Sequence, residues 1–283
     1  MSDRVKVTAS GLARMKRSAE PITMLTAYDF PLARFIDVAG IDIVLVSDAV
    51  GTVGLGRPEA VSVTVDEMVY HTRACRNGAK AAMVVTTLPF GTYVTIEEGV
   101  RNAARLMKEG GADGVHLEGT ATDAPVLRAI VESGVPVMGH VGIVKQKIVR
   151  SGAIRVQGRT APDAVEVVQD SLAMADAGAF ALILECIPAP LAEAITRSLD
   201  VPTIGIGAGS ACDGQALVTQ DMLGLYKELS PRFLKVYADL ERTIVDALTT
   251  FRQDVERGHF PGPEHTYGIS EDELARLVAL MGN

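Results

Sequence analysis

A (β/α)8 barrel, the TIM fold, is the architecture this sequence predicts. Three observations carry the expectation. Eight short apolar runs recur between residues 22 and 219. Each is continuous rather than alternating apolar with polar, the pattern of strands buried on both faces. The segments between them carry helical signals, and strands alternating with helices build parallel βα units. An open doubly wound sheet with a helical cap shares that alternation, but a count of eight favours closure into a barrel.

The elements follow in order. ITMLTA (22–27) is the first run and IVLVS (43–47) the second. Thr64 with Glu67 then forms a Thr-x-x-Glu capping box at a helix start. AAMVVT (81–86) is the third run, and Thr95 with Glu98 repeats the box. Ile96, Val100, Ala103 and Met107 then fall at spacings of 4, 3 and 4, along one helix face. GVHLE (114–118), VPVMGH (135–140), ALILE (181–185), VPTIGI (201–206) and QALVT (215–219) complete the set. Gly40, Gly78, the Gly110–Gly111 pair, Gly134 and Gly178 stand just before the next run, where glycine can end a helix. Beyond residue 220 the pattern predicts a helix from Pro231 to about Arg257, a Pro/Gly-rich turn, and a short helix from Ser270. Residues 1–283 read as a single barrel domain. Within it, 221–283 form a C-terminal helical extension packed on the barrel or on a neighbouring subunit.

Composition narrows the function. With 27 basic and 35 acidic residues the net charge is −8, and no dense basic tract exists, so nucleic acid is not an expected partner. No apolar stretch approaches the roughly 18 residues that a membrane span needs. The polar N-terminal segment has no apolar signal core. Cys75, Cys186 and Cys212 are odd in number and lack metal-ligand spacing, which suggests reduced thiols and a cytoplasmic protein. Apolar residues make up 48% of the chain and aromatic ones 5%, so the core is expected to be aliphatic.

In a barrel, chemistry sits at the C-terminal ends of the strands. The polar residues there are Thr26, Tyr28 and Asp29 from the first run, Ser47 and Asp48 from the second, and Thr86 and Thr87 from the third. His116 and Glu118 come from the fourth, His140 from the fifth and Glu185 from the sixth. Converged on one pocket, they suit a small, oxygen-rich substrate. Asp48 and Glu118 can hold a hard divalent cation such as Mg²⁺, directly or through water. Such a cation can chelate a 2-oxo acid and stabilise its enolate. Burial of Glu185 would raise its pKa and suit it to moving a carbon-bound proton.

Other features divide less cleanly. Gly-Ile-Gly-Ala-Gly at 205–209 is not a dinucleotide motif; it either approaches an anionic ligand or makes a tight turn. Lys145, Lys147, Arg150, Arg155 and Arg159 lie in an acid-free stretch that either attracts an anion or forms a solvated loop. Cys186 reads as a packing cysteine, His71 as structural, and His259 and His265 as surface or interface groups.

The chain also resembles the ketopantoate hydroxymethyltransferase family. The resemblance rests on MLTAYD (24–29), LVSDAVG (45–51), VTVDEMVYHT (63–72), LPFGTY (88–93), HLEG (116–119) and VMGHVG (137–142). VQGR (156–159), LILECIP (182–188), IGIGAG (204–209) and FPGPEHTY (260–267) extend it. It implies a barrel of the phosphoenolpyruvate mutase/isocitrate lyase superfamily, assembled as a homo-oligomer, often a decamer. It implies Mg²⁺-assisted enolisation of 3-methyl-2-oxobutanoate and attack of the enolate on a one-carbon unit from 5,10-methylenetetrahydrofolate. The product would be 2-dehydropantoate, for pantothenate synthesis. By that resemblance Asp48 is a metal ligand, Glu118 supports the metal through water, Glu185 is the proton-transferring base, and Ser47, Asp48, His140, His116 and Thr87 line the substrate site. The family usually has Asp where this chain has Thr87, Lys where it has His116, and Ser where it has Ala49. These changes leave a second reading, a paralogue acting as a different 2-oxo acid aldolase or lyase, with His116 suited to Zn²⁺, Co²⁺ or Ni²⁺. They leave a third, a catalytically silent homologue serving as a binding subunit.

Overall fold

The computed structural model describes residues 4–144, 148–149, 152, 155–228 and 231–282. Eight parallel strands close into a barrel in chain order. They are β1 (Ile22–Thr26), β2 (Ile43–Val46), β3 (Met83–Thr87), β4 (Gly114–Glu118), β5 (Val137–Gly142), β6 (Ala181–Glu185), β7 (Thr203–Ile206) and β8 (Gly214–Leu217). β8 pairs back onto β1, so no edge is left open. The strand starts shift where proline intervenes. The fifth and seventh runs begin with Val135–Pro136 and Val201–Pro202. A proline has no N–H for the ladder, and each strand begins just after it.

Helices α1 (Ala9–Arg17), α2 (Phe30–Val38), α3 (Val65–Gly78), α4 (Ile96–Arg105), α5 (Ala124–Glu132), α6 (Ala161–Asp176) and α7 (Ala189–Ser198) accompany the barrel. The Thr64–Glu67 capping box is formed in full. At α4, Thr95 accepts from the Glu98 N–H. On that helix Ala103 is buried but Ile96 is exposed. Gly40, Gly111, Gly134 and Gly178 adopt the left-handed conformation expected of helix ends. Gly78 does not. A β-carbon there would stand 2.6 Å from the Phe30 carbonyl oxygen, so this glycine lets α3 touch the backbone of α2.

The core has two layers. Ile43, Leu45, Met83, Val85, Met138, Ile183 and Ile204 fill the barrel interior, with Leu12 of α1 plugging it. Val44, Val46, Val84, Val115, Leu117, Leu182 and Leu184 face the helices. Neighbouring residues therefore go to opposite layers, the period-two alternation of a strand.

After β8 comes the short α8 (Thr219–Met222), then α9 (Leu240–Glu256) and α10 (Glu271–Leu280). The helix expected from Pro231 starts only at Leu240. The N–H groups of Tyr237 and Leu240 are bonded to the Met222 and Leu223 carbonyls at 2.7 and 3.0 Å, so they are taken by the turn after α8. Neither α9 nor α10 buries a residue. The helix expected from Ser270 is present, with Ser270 as its N-cap.

Candidate active site

Strand parity builds the site. On four strands the last inward core residue is followed two positions later by a polar one: Leu45 by Ser47, Val85 by Thr87, Met138 by His140 and Ile183 by Glu185. On β4, His116 and Glu118 share the inward parity. A cavity of about 570 Å³ opens at this end of the barrel. Ser47, Asp48, Ala49, His116, Glu118, His140 and Glu185 line it. Thr87 lies buried beside His116.

Four of these side chains form one row. The Thr87 hydroxyl lies 2.8 Å from His116 Nδ1, His116 Nε2 lies 3.0 Å from His140 Nδ1, and His140 Nε2 stands 3.1 Å from Glu185 Oε2. A single choice of hydrogens suits the two hydrogen bonds and leaves His140 Nε2–H beside the carboxylate, close but not aligned as a hydrogen bond. Thr87 O–H donates to His116 Nδ1, His116 Nε2–H donates to His140 Nδ1, and His140 Nε2–H faces the carboxylate. His116 has both ring nitrogens committed in this row. On its other flank, His140 Nδ1 lies 3.9 Å from Glu118 Oε1.

The backbone holds the row in place. Gly142 adopts φ +100°, and a β-carbon there would lie 2.3 Å from the Glu185 carbonyl oxygen, so only glycine lets β5 and β6 approach this closely at the base. Cys186 follows in the left-handed region at φ 52°, which a non-glycine residue rarely adopts. Its thiol lines the cavity and is pushed up to about 11 by burial, so it is neutral. It is a wall residue of the cavity rather than an interior packing group.

The structure sorts the other strand-end residues. Tyr28 O–H and Ser47 Oγ are 2.9 Å apart, and burial pushes the phenol up to about 12, so it keeps its proton. Thr26 instead joins β1 to α8, accepting from the Thr219 N–H. Asp29 caps α2 through the Leu32 N–H. Thr86 turns outward to Thr72 of α3, at 2.9 Å. His71 bonds the Tyr28 carbonyl at 2.8 Å, the structural part expected of it, and His259 and His265 are exposed. Glu185 departs from expectation. Its side chain is 27% exposed, because it stands at the cavity wall rather than in packed core. In the glycine run, Gly207 and Gly209 have positive φ and turn the chain, and Gly207 packs against Phe233. Lys145, Lys147 and Arg150 lie outside the described residues, while Arg155 and Arg159 are exposed.

One lining residue comes from beyond the strand ends considered above. Asp221 of α8 faces the cavity, and its buried Oδ1 has no hydrogen-bond partner among the described residues. Desolvation raises its carboxyl to about 6. Its signal in the sequence is position: it follows the eighth run by two residues.

The donor set bears on metal binding. Asp48 and Glu118 are 2% and 6% exposed and offer hard oxygen donors at the cavity wall. Among the described residues no group of three or more His, Cys, Asp or Glu is placed to hold an ion. Two carboxylates with water completing the shell fit Mg²⁺, which dehydrates reluctantly, better than a zinc-type site of four protein ligands.

Comparison with known proteins agrees with this architecture. The family model described as ketopantoate hydroxymethyltransferase matches residues 6–263. A 3-methyl-2-oxobutanoate hydroxymethyltransferase of Moorella thermoacetica is 49% identical over 268 residues, covering 94% of this chain and 100% of the relative. One from Nitratidesulfovibrio vulgaris is 48% identical over 269 residues, covering 95% and 88%. Among solved structures, phosphoenolpyruvate phosphomutase from Streptomyces platensis subsp. rosaceus superposes with a TM-score of 0.62 at 15% identity, covering 97% and 95%. A 2,3-dimethylmalate lyase of the PEP mutase/isocitrate lyase superfamily gives 0.57 at 17%, covering 97% and 99%. These structural likenesses show the fold.

Proposed function

The chain belongs to the ketopantoate hydroxymethyltransferase family, and we propose that it converts 3-methyl-2-oxobutanoate to 2-dehydropantoate with 5,10-methylenetetrahydrofolate as the hydroxymethyl source, a step toward pantothenate. The observation that carries the reading is the contact of Glu185 with His140 in a cavity that also holds Asp48 and Glu118.

Glu185 takes the proton from carbon 3 of the oxo acid, and the C–H electrons move into the enolate. His140 presents its Nε2–H beside that base, 3.1 Å from Oε2. His116 keeps His140 in this tautomer, and Thr87 does the same for His116. Asp48, with Glu118 through water, would hold Mg²⁺, which supplies Lewis acidity to the oxo-acid oxygens when bound. Ser47, fixed by Tyr28, stands as a hydroxyl at the same wall. Apolar neighbours such as Ile143 and Ile183 limit water around the enolate. Carbon 3 then forms the new bond to the one-carbon unit; water supplies the hydroxyl, and tetrahydrofolate leaves.

The row of side chains weighs against a transition metal on His116, because neither ring nitrogen is spare. It also accounts for Thr87 and His116 together: the two are hydrogen-bonded partners. A homo-oligomer is supported by α9, which leaves Ile244, Val245, Leu248 and Phe251 exposed on a helix that buries nothing. Among the described residues no helix is long and apolar enough to cross a membrane.

Deuterium exchange at carbon 3 of 3-methyl-2-oxobutanoate, followed by proton NMR in D₂O, isolates the first half-reaction. Exchange by metal-stripped protein supplied with Mg²⁺ is the expected result. No exchange with Mg²⁺, Mn²⁺, Co²⁺ or Zn²⁺ would overturn the proposal.

A further inference from the structure

The enolising groups occupy only one side of the cavity. Ser47, Asp48, His116, Glu118, His140 and Glu185 belong to the ends of β2, β4, β5 and β6. The opposite wall, from β7, β8, β1 and the segment after β8, is apolar apart from Thr26. Leu25, Ile206, Leu217, Val218, Phe233 and Leu234 form it. One ionisable side chain among the described residues stands on that wall, Asp221.

Asp221 is firmly placed. It lies on α8, whose first residue is tied to β1: Thr219 N–H donates to Thr26 Oγ1 at 3.0 Å, and the Thr219 hydroxyl donates to the Thr26 carbonyl at 2.5 Å. The Asp221 carbonyl accepts the Gly224 N–H at 3.1 Å. Its carboxylate, by contrast, has a buried oxygen with no donor among the described residues. Two other shielded aspartates are bonded to backbone donors. Asp37 accepts two backbone N–H groups, and Asp170 accepts the Ala121 N–H. An unmatched acceptor in an apolar wall costs folding free energy. A ligand bearing N–H donors would remove that cost.

The chemistry of the wall selects the ligand. The oxo acid belongs on the side where Asp48 and Glu118 would hold Mg²⁺; Asp221 stands across the cavity with no such cation assigned to it. Two carboxylate oxygens can accept a parallel pair of N–H bonds, and aliphatic and aromatic side chains around them receive a flat ring. A fused aminopyrimidinone has this form, with an exocyclic NH₂ and a ring N–H side by side on one edge. We propose that Asp221 binds the aminopyrimidinone edge of the one-carbon donor, and that the β7–β8–β1 wall is the donor's subsite. The proposal rests on the reading above that the donor is a reduced folate. It puts donor and oxo acid on opposite sides of one cavity, so the carbon-3 nucleophile faces the one-carbon unit.

The test separates the two ligands. Asp221→Ala and the isosteric Asp221→Asn are compared with the wild type in three measurements: calorimetric binding of tetrahydrofolate alone, KM for 5,10-methylenetetrahydrofolate in the transfer reaction, and donor-free deuterium exchange of the oxo acid. The expected result is tetrahydrofolate binding weakened about tenfold or more in Asp221→Ala, with a parallel rise in donor KM. Asp221→Asn should fall between it and the wild type. The KM for the oxo acid in the exchange assay should not move. Equal tetrahydrofolate affinity in wild type and Asp221→Ala would overturn the proposal, and so would exchange that fails in step with transfer. Failure of the wild type to exchange the oxo acid refutes the functional reading instead; tetrahydrofolate binding still decides the part played by Asp221.

Discussion

The two ends of the barrel use similar residues in opposite ways. At the N-terminal end, Asp42, Asp113 and Asp213 stand just before β2, β4 and β8. Each accepts a backbone N–H from the strand before its own: Thr23 at 2.9 Å, Val84 at 2.8 Å and Thr203 at 2.8 Å. Each also pairs with a cation from the N-terminal segment, Arg4, Lys6 and Lys16 respectively. The device is absent at β6, where Phe180 occupies the equivalent place. At the C-terminal end, Glu185 opens onto a cavity and Asp221 has an oxygen with no donor among the described residues. The acids of one end are spent on holding strands and sealing the bottom with α1. The other end leaves Glu185 and Asp221 open to ligands, at a cost the closed end helps to offset.

Substitutions at each end should therefore fail differently. The largest effect is expected for Glu185→Gln, which removes the base. Carbon-3 exchange should drop about 10³-fold, within the range for general-base catalysis, with the melting temperature little changed. A melting temperature that falls with the rate would blur the contrast between the ends. Asp213→Ala strikes the closed end. It strands the Lys16 ammonium and the Thr203 N–H, and should cost about 3 kcal/mol in denaturant unfolding. Its exchange rate per folded molecule should match the wild type; a specific loss of rate would show that this end also tunes the chemistry.

Thr87→Val is expected to be smaller. It keeps the shape but removes the hydrogen donated to His116 Nδ1, and should lower the exchange kcat about tenfold with KM steady. Thr87→Ser should restore the rate. Ring-nitrogen NMR of the wild type should show His116 and His140 protonated on Nε2. A proton on Nδ1 of either would break the row as drawn. The smallest effect concerns pH. Asp221 titrates near 6 when folded and near the ordinary 3.8 when unfolded. Its ionisation thus opposes folding above about pH 6, and this penalty vanishes as the pH falls below the unfolded value. Asp221→Asn should therefore melt higher than the wild type at pH 7 and alike near pH 3.5. A gap independent of pH would mean that desolvation does not govern this carboxylate.

Much of the site is legible in the chain. Continuous apolar runs mark the strands, and the polar residue two places past a core residue marks a side chain pointing into the barrel. That rule finds Ser47, Thr87, His140 and Glu185. It does not find that Thr87 and His116 are bonded, since their separation of 29 residues is bridged only by the pairing of β3 with β4. It passes over Asp221, which lies on a short helix where strand parity has no meaning. It also overstates the burial of Glu185, because an apolar run says that a strand is covered but not where a cavity opens.

By itself the sequence determined the closed barrel, the strand order and the end of the barrel where chemistry sits, because these depend on local hydrophobic period and on connections too short to do otherwise. The tertiary structure alone decided which acids are spent and which are available. That depends on whether an N–H or a cation from a distant part of the chain reaches the carboxylate: Lys16 reaches Asp213 across 197 positions, and among the described residues no donor reaches Oδ1 of Asp221.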